Sequence, residues 1–199
     1  MILILMGKTA SGKDIIAKEL VSNYKFGKII TYTTRPPRPN EKDGVDYYFI
    51  SQSDFQKKIK ADFFVEWKVY QSAFGDWYYG TAFEDLKQDS VLILTPTGVK
   101  DFAKNTKCMF RTVLIDVPKE VRLQRLMERG DKYVEALRRL EHDEKDFENP
   151  FVRQLTDLKI QNVNCSVESI AQEISNYWNG EKETIYGVKN MLFSGRNDQ

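Results

Sequence analysis

The sequence predicts an α/β fold in which a parallel sheet is flanked by helices and carries an inserted mixed α/β subdomain. Short apolar runs at 2–5, 91–94 and 112–117 have the character of strands buried on both faces, as in parallel sheets. Stretches of helical periodicity separate them, and this alternation builds a sheet covered by helices on both sides. Between about 35 and 84 the rhythm gives way to half-exposed strands, an insertion rather than a separate domain.

In order, residues 2–5 open as a strand. The run is too short, and lacks a basic segment before it, for a secretory signal. Residues 13–24 form a helix, with Ile15, Ile16, Leu20 and Val21 at helical spacing. Residues 28–34 are a second strand around Ile29 and Ile30, and Pro36, Pro37 and Pro39 keep 35–44 from being helix. Strands at 45–50 and 64–70 flank a short helix at 53–60. After the strands at 91–94 and 112–117 comes a helix at 118–128, with Val121, Leu123 and Leu126 inward. A charged helix at 134–147 has Leu137 and Leu140 on one side, and a strand at 158–160 and a helix at 167–178 complete the order.

Composition narrows the function classes. The 199 residues amount to one domain, and 41% hydrophobic residues with 12 Phe, 10 Tyr and 3 Trp supply a packed core and exclude disorder. A net charge of +1 speaks against a general nucleic-acid or membrane-surface binder. No apolar run approaches the roughly 18 to 20 residues that span a bilayer. Cys108 and Cys165 make no disulfide framework or zinc spacing and fit a reducing, cytoplasmic setting.

Gly7-Lys8-Thr9-Ala10-Ser11-Gly12-Lys13 fits G-x-x-x-x-G-K directly after a strand and before a helix, the context of a phosphate-binding loop. Its glycines let backbone N–H groups turn toward phosphate oxygens, the helix start adds positive potential, and Lys13 reaches the β/γ-phosphates. The Ser or Thr that normally follows the lysine and holds Mg²⁺ is replaced by Asp14. A second constellation, Thr31-Tyr32-Thr33-Thr34-Arg35-Pro36-Pro37-Arg38, places two arginines on a proline-stiffened loop, a clamp for a phosphate dianion. An exposed basic loop is the commoner explanation of such a pair. The segments that follow decide between them: Gly44-Val45-Asp46-Tyr47-Tyr48-Phe49, Phe64-Val65-Glu66-Trp67 and Trp77-Tyr78-Tyr79-Gly80-Thr81.

With these segments the chain resembles guanylate kinases, P-loop nucleoside monophosphate kinases, from about residue 2 to 177. The resemblance implies a P-loop parallel sheet, an acceptor-binding insertion and a helical lid. It implies that Arg35, Arg38, Tyr47 and Tyr79 hold the GMP phosphate and that Glu66, Thr81 and Thr31 read guanine. A carboxylate suits that edge, because guanine offers N1–H and N2–H together and an ionised carboxylate only accepts. Arg125-Leu126-Met127-Glu128-Arg129-Gly130 and Arg138-Arg139-Leu140 resemble the lid, which implies that Arg129 and Arg139 close over the ATP phosphates, with Arg125 and Arg138 as neighbours. Asp157 to Asn162 resembles the strand whose final asparagine lies near adenine.

The expected layout is a kinase-like domain over 1–180, with core at about 1–34 and 85–180, GMP-binding insertion at about 35–84 and lid at about 129–150. The expected reaction is GMP + ATP to GDP + ADP with Mg²⁺, in purine nucleotide metabolism in the cytoplasm. Lys13, Arg35, Arg129 and Arg139 are the expected catalytic residues. ATP is expected at Gly7 to Asp14, Arg129 and Asn162, and the metal at Asp14. The alternatives are a kinase for another monophosphate and a guanylate-kinase-like binding module without turnover. One departure bears on these: where the family carries D-x-D-x-Q-G, this chain reads Ile93-Leu94-Thr95-Pro96-Thr97-Gly98, with both carboxylates gone. His142, among acidic neighbours, is not expected to be catalytic. Residues 181–199 offer Ile185, Tyr186, Val188, Leu192 and Phe193 to the body of the protein or to a second copy in a homodimer, and 195–199 is expected to fray.

Overall fold

The computed structural model describes residues 1–72 and 75–194, with side chains described as far as Gly180 apart from that of Ser72. The proposed docking side chains of 185–193, and residues 195–199, lie outside that range.

Strand β1 (Ile2–Gly7) is buried along its whole length and forms the middle of a five-stranded parallel sheet. Its neighbours are β7 (Ser90–Ile93) and β8 (Phe110–Asp116), with β2 (Gly27–Lys28) at one edge and β9 (Leu158–Gln161) at the other. Side chains alternate across this sheet. Leu3 and Leu5 meet Ile16, Ala17 and Leu20 of α1 (Lys13–Asn23) and Ile170, Ala171, Ile174 and Trp178 of α7 (Val167–Ser194). Ile2, Ile4 and Met6 face the other way, onto Val99 and Phe102 of α3 (Pro96–Asn105) and Val65. A strand buried on both faces has no polar side to show, which is why its sequence is an unbroken apolar run.

The second sheet has four strands in the order β4 (Tyr48–Phe49), β3 (Tyr32–Thr33), β6 (Gly75–Ala82) and β5 (Phe64–Ser72). Helix α2 (Gln52–Lys60) is capped by the Ser51 hydroxyl and buries Phe55 beneath this sheet. Helices α4 (Lys119–Glu128) and α5 (Tyr133–Phe147) pack through Leu126, Ala136 and Leu140, and the short α6 (Phe151–Leu155) leads back to β9.

Three expectations are corrected. The strand expected at 28–34 is two short strands, because the chain leaves the parallel sheet after Lys28 and joins the second sheet at Tyr32. Ile15 is 60% exposed, since it sits on the side of α1 that faces the cleft. In α4 the most deeply buried positions are Arg122 and Leu126, not Val121 and Leu123; the guanidinium is drawn inward by partners on α5.

Candidate active site

The loop at 7–13 links the end of β1 to the start of α1. Gly12 adopts a left-handed φ of 92°, and a Cβ there would stand 2.6 Å from the Asn162 amide nitrogen. Glycine is therefore required both by the turn and by the close approach. Asn162 Nδ2 donates to the Ser11 carbonyl at 2.8 Å. Arg125 of α4 donates to the Ala10 carbonyl at 3.2 Å and to the Asn162 carbonyl at 3.1 Å, so two distant segments pin the loop. Lys13 Nζ donates back to the Lys8 carbonyl at 3.3 Å. The Ser11 side chain lies beneath the loop, with its hydroxyl unpartnered among the described residues.

Helix α5 sets two carboxylates against this loop. The Thr9 backbone N–H donates to Asp143 Oδ2 at 2.7 Å, and Lys8 pairs with Glu144. Arg122, 1% exposed, spans both acids, donating to Asp143 at 3.3 Å and to Glu144 at 2.6 Å, and to the Val117 carbonyl at 3.1 Å. Burial pushes the Asp143 carboxyl above its ordinary range, opposed by the Thr9 bonds and by the charges of Lys13 and Arg122. Glu144 is also penalised by burial, but the bonds from Lys8 and Arg122 hold its carboxyl below the usual range. Between α4 and α5, Arg129 donates to Asp131 at 2.6 Å, and Arg139 donates to Asp131 at 3.1 Å and to Glu135 at 3.0 Å. Arg138 reaches the Gln71 carbonyl at 2.9 Å, which ties α5 to the second sheet.

On that sheet the β5–β6 register shifts between Phe64 and Glu66, a bulge that sets Glu66 opposite Thr81. Gly80 has no room for a side chain: a Cβ would meet Phe55 and Phe64 at 2.9 Å. Glu66 is 5% exposed, and its Oε1 accepts the Thr81 hydroxyl at 2.6 Å. Burial pushes its carboxyl up to about 7, against the opposing pull of the Thr81 bonds and the Lys68 charge. Arg35 is buried, with a guanidinium fully engaged: both carboxylate oxygens of Glu41 at 2.8 Å, the Tyr79 hydroxyl at 3.1 Å and the Pro36 carbonyl at 2.7 Å. Lys28, which bonds the Val45 carbonyl, and the Lys18–Asp46 ion pair at 3.0 Å fasten the 42–47 loop to the parallel-sheet side.

A single cleft of about 860 Å³ joins these parts. Of the residues singled out in the sequence, Gly7, Thr9, Ala10, Gly12, Lys13, Asp14, Thr31, Arg38, Tyr47, Glu66, Tyr79, Arg129, Arg139 and Asn162 line it. Lys8 turns outward to a second cavity with Arg122 and Glu144, Ser11 lies beneath the loop, and Arg35 and Thr81 stand behind Tyr79 and Glu66. Sequence reasoning missed Arg122, Asp143 and Glu144. A charged helix is ordinarily a solvated face, and the one available signal was an arginine at the otherwise apolar inward position of α4.

Among the described residues no cluster of three His, Cys, Asp or Glu is placed to hold a metal. A hard cation that takes most of its oxygens from phosphates and water needs only one or two protein carboxylates. Asp14, exposed at the head of α1, and Asp143 line the cleft beside Lys13, so the donor set fits an ion of that kind and no all-protein cage.

The guanylate kinase family model matches residues 1–177, nearly the whole chain. The chain belongs to the guanylate kinase family. Its relatives include guanylate kinases of Aster yellows witches'-broom phytoplasma (33% identical, covering 63% of this chain and 53% of the relative) and of Symbiobacterium thermophilum (32% identical, covering 70% and 67%). The match spans about half the length of the phytoplasma relatives. The crystal structure of guanylate kinase from Anaplasma phagocytophilum has the same fold, with a TM-score of 0.68 at 24% identity over 91% of this chain and 85% of that one. The parallel sheet flanked by helices is thus a fold shared with that structure. Among the described residues no helix is long and apolar enough to cross a membrane.

Proposed function

We propose that this protein transfers the γ-phosphoryl group of ATP to GMP, giving GDP and ADP. The observation that carries this reading is the continuity of the cleft, with Lys13 and the phosphate loop at one end and the buried carboxylate of Glu66 at the other. ATP phosphates would lie on the loop amides and Lys13, with the adenine end toward Asn162. GMP would present its N1–H and N2–H to Glu66 and its phosphate to Arg38, Tyr47 and Tyr79, with Arg35 positioning Tyr79 from behind. Asp14 would hold Mg²⁺, whose charge would screen the ATP phosphates. Residues 1–34 and 85–180 would then serve as core, 35–84 as acceptor site and 129–150 as lid, in a cytoplasmic enzyme.

Phosphoryl transfer needs positioning and charge stabilisation more than covalent help. Several of the groups that would meet phosphates already hold a carboxylate: the Thr9 amide has Asp143, and Arg129 and Arg139 have Asp131. On this reading the ATP phosphates displace Asp143 from Thr9, exchanging one anion for another, so the loop amide is never left bare in a buried site. The lid's tie to Gln71 brings the two ends of the cleft together and keeps out water as a competing acceptor.

The contact of Asp143 with the loop also favours a second reading, a binding module whose loop is held by its own lid. One experiment separates the two. ADP release is measured with GMP, AMP, UMP and CMP as acceptors, with and without Mg²⁺. Release that requires both GMP and Mg²⁺ supports the kinase; GMP binding without release supports the module.

A further inference from the structure

We propose that the acceptor site takes 6-oxopurine nucleoside monophosphates with or without a 2-amino group, so that IMP is phosphorylated alongside GMP. This rests on the reading of Glu66 as the group that meets the base edge. Guanine and hypoxanthine share the N1–H that a carboxylate accepts, and only guanine adds the N2 amine. A buried site rejects an analogue lacking a donor severely, by about 10⁴-fold, where the loss leaves an acceptor of its own unpaired. Where each acceptor keeps another donor, the difference shrinks to one hydrogen bond.

The acceptors at this end of the cleft have such donors. Glu66 Oε1 holds the Thr81 hydroxyl at 2.6 Å, and the Thr81 backbone bonds the same carboxylate. The other polar wall is Thr95. Its Oγ1 accepts the Gly98 N–H at 3.3 Å as the N-cap of α3 and lies 3.4 Å from the Tyr70 hydroxyl, which donates to it. Glu66 Oε2 and Thr95 Oγ1 each lie 3.4 Å from the point where a Cβ on Gly98 would stand, so the two flank one spot. Both residues line the cleft, as does Tyr70. An amine placed between them gains contacts, and its absence leaves Thr95, Tyr70 and Glu66 bonded to the protein. Adenine fares differently, because its N1 is a bare acceptor that faces the Glu66 carboxylate.

The test compares GMP, IMP and AMP by titration calorimetry and by ADP release, in the wild-type chain and in Thr95→Asp. Aspartate also caps helices, so α3 keeps its start, while its acceptor-only carboxylate exceeds the donors that Gly98, Tyr70 and Thr97 supply there and penalises a base without the amine. In the wild type, IMP binds within about a hundredfold of GMP and is phosphorylated, and AMP binds at least about tenfold more weakly than IMP. In Thr95→Asp the IMP-to-GMP gap widens at least about tenfold. A wild-type gap beyond a hundredfold, AMP binding as tight as IMP, or an unchanged gap in Thr95→Asp overturns the proposal while leaving a GMP kinase standing. Failure of GMP itself to bind overturns the acceptor-site reading, and this inference with it.

Discussion

Glu66 is held at a cost that an unfolding experiment can read. Burial raises its carboxyl from 4.5 to about 7, and each unit corresponds to about 1.4 kcal/mol, so about 3 kcal/mol of pH-dependent stability is involved. The sign follows from proton counts. Between pH 4.5 and 7 the folded chain binds this proton more tightly than the unfolded chain, so stability falls as pH rises across that window. Below it both states are protonated, and above it the folded state carries a buried charge. Glu66→Gln removes the titration and keeps the shape. Urea unfolding of wild type and variant at about pH 4.5 and about pH 8 should show the variant gaining about 3 kcal/mol relative to wild type at the higher pH. The same variant should lose preference for GMP over AMP, and wild-type GMP affinity should fall about tenfold per pH unit below about 7 if the anion is the binding form. Parallel stability profiles for the two proteins across this range would refute the claim that Glu66 is a buried, strained carboxylate.

Three further outcomes are expected. Asp143→Asn weakens the carboxylate's hold on the Thr9 amide, and the KM for ATP should fall several-fold in steady-state assays at saturating GMP. Arg122→Met leaves Asp143 and Glu144 without their shared partner and should cost about 3 kcal/mol in urea unfolding, the low end for breaking a buried pair because both acids are partly exposed. Asp14→Ala should make ATP binding less dependent on Mg²⁺ in calorimetric titrations and slow turnover; equal behaviour to wild type would reduce Asp14 to a helix-start residue.

The parallel sheet and its flanking helices were legible because a strand buried on both faces and a helix docked on it leave strong patterns, as in residues 2–5 and 13–24. The run at 28–34 misled because Ile29 and Ile30 look like a strand centre. They are a crossover between two sheets, and pairing to β7 ends at Lys28. Helix α3 had its signals in Thr95, Pro96, Val99 and Phe102, a cap, a first-turn proline and an apolar pair three apart, and its first turn overlaps the segment 93–98 whose residues depart from the family's. The site was legible as a set of residue types, but their pairing was not. Nothing local in the sequence says that Glu41 fills the fork of Arg35, or that Arg122 turns inward to acids more than twenty positions away. Such contacts depend on packing between elements, and the electrostatics of the site follows from them.

The most direct measurement is ADP release by the wild-type chain and by Lys13→Ala with GMP and MgATP, with unfolding midpoints measured on the same samples. The account predicts GMP-dependent release by the wild type and a loss of at least about a hundredfold in the variant at an unchanged midpoint. Absence of GMP-dependent release by the wild type, or equal turnover by both proteins, would contradict it.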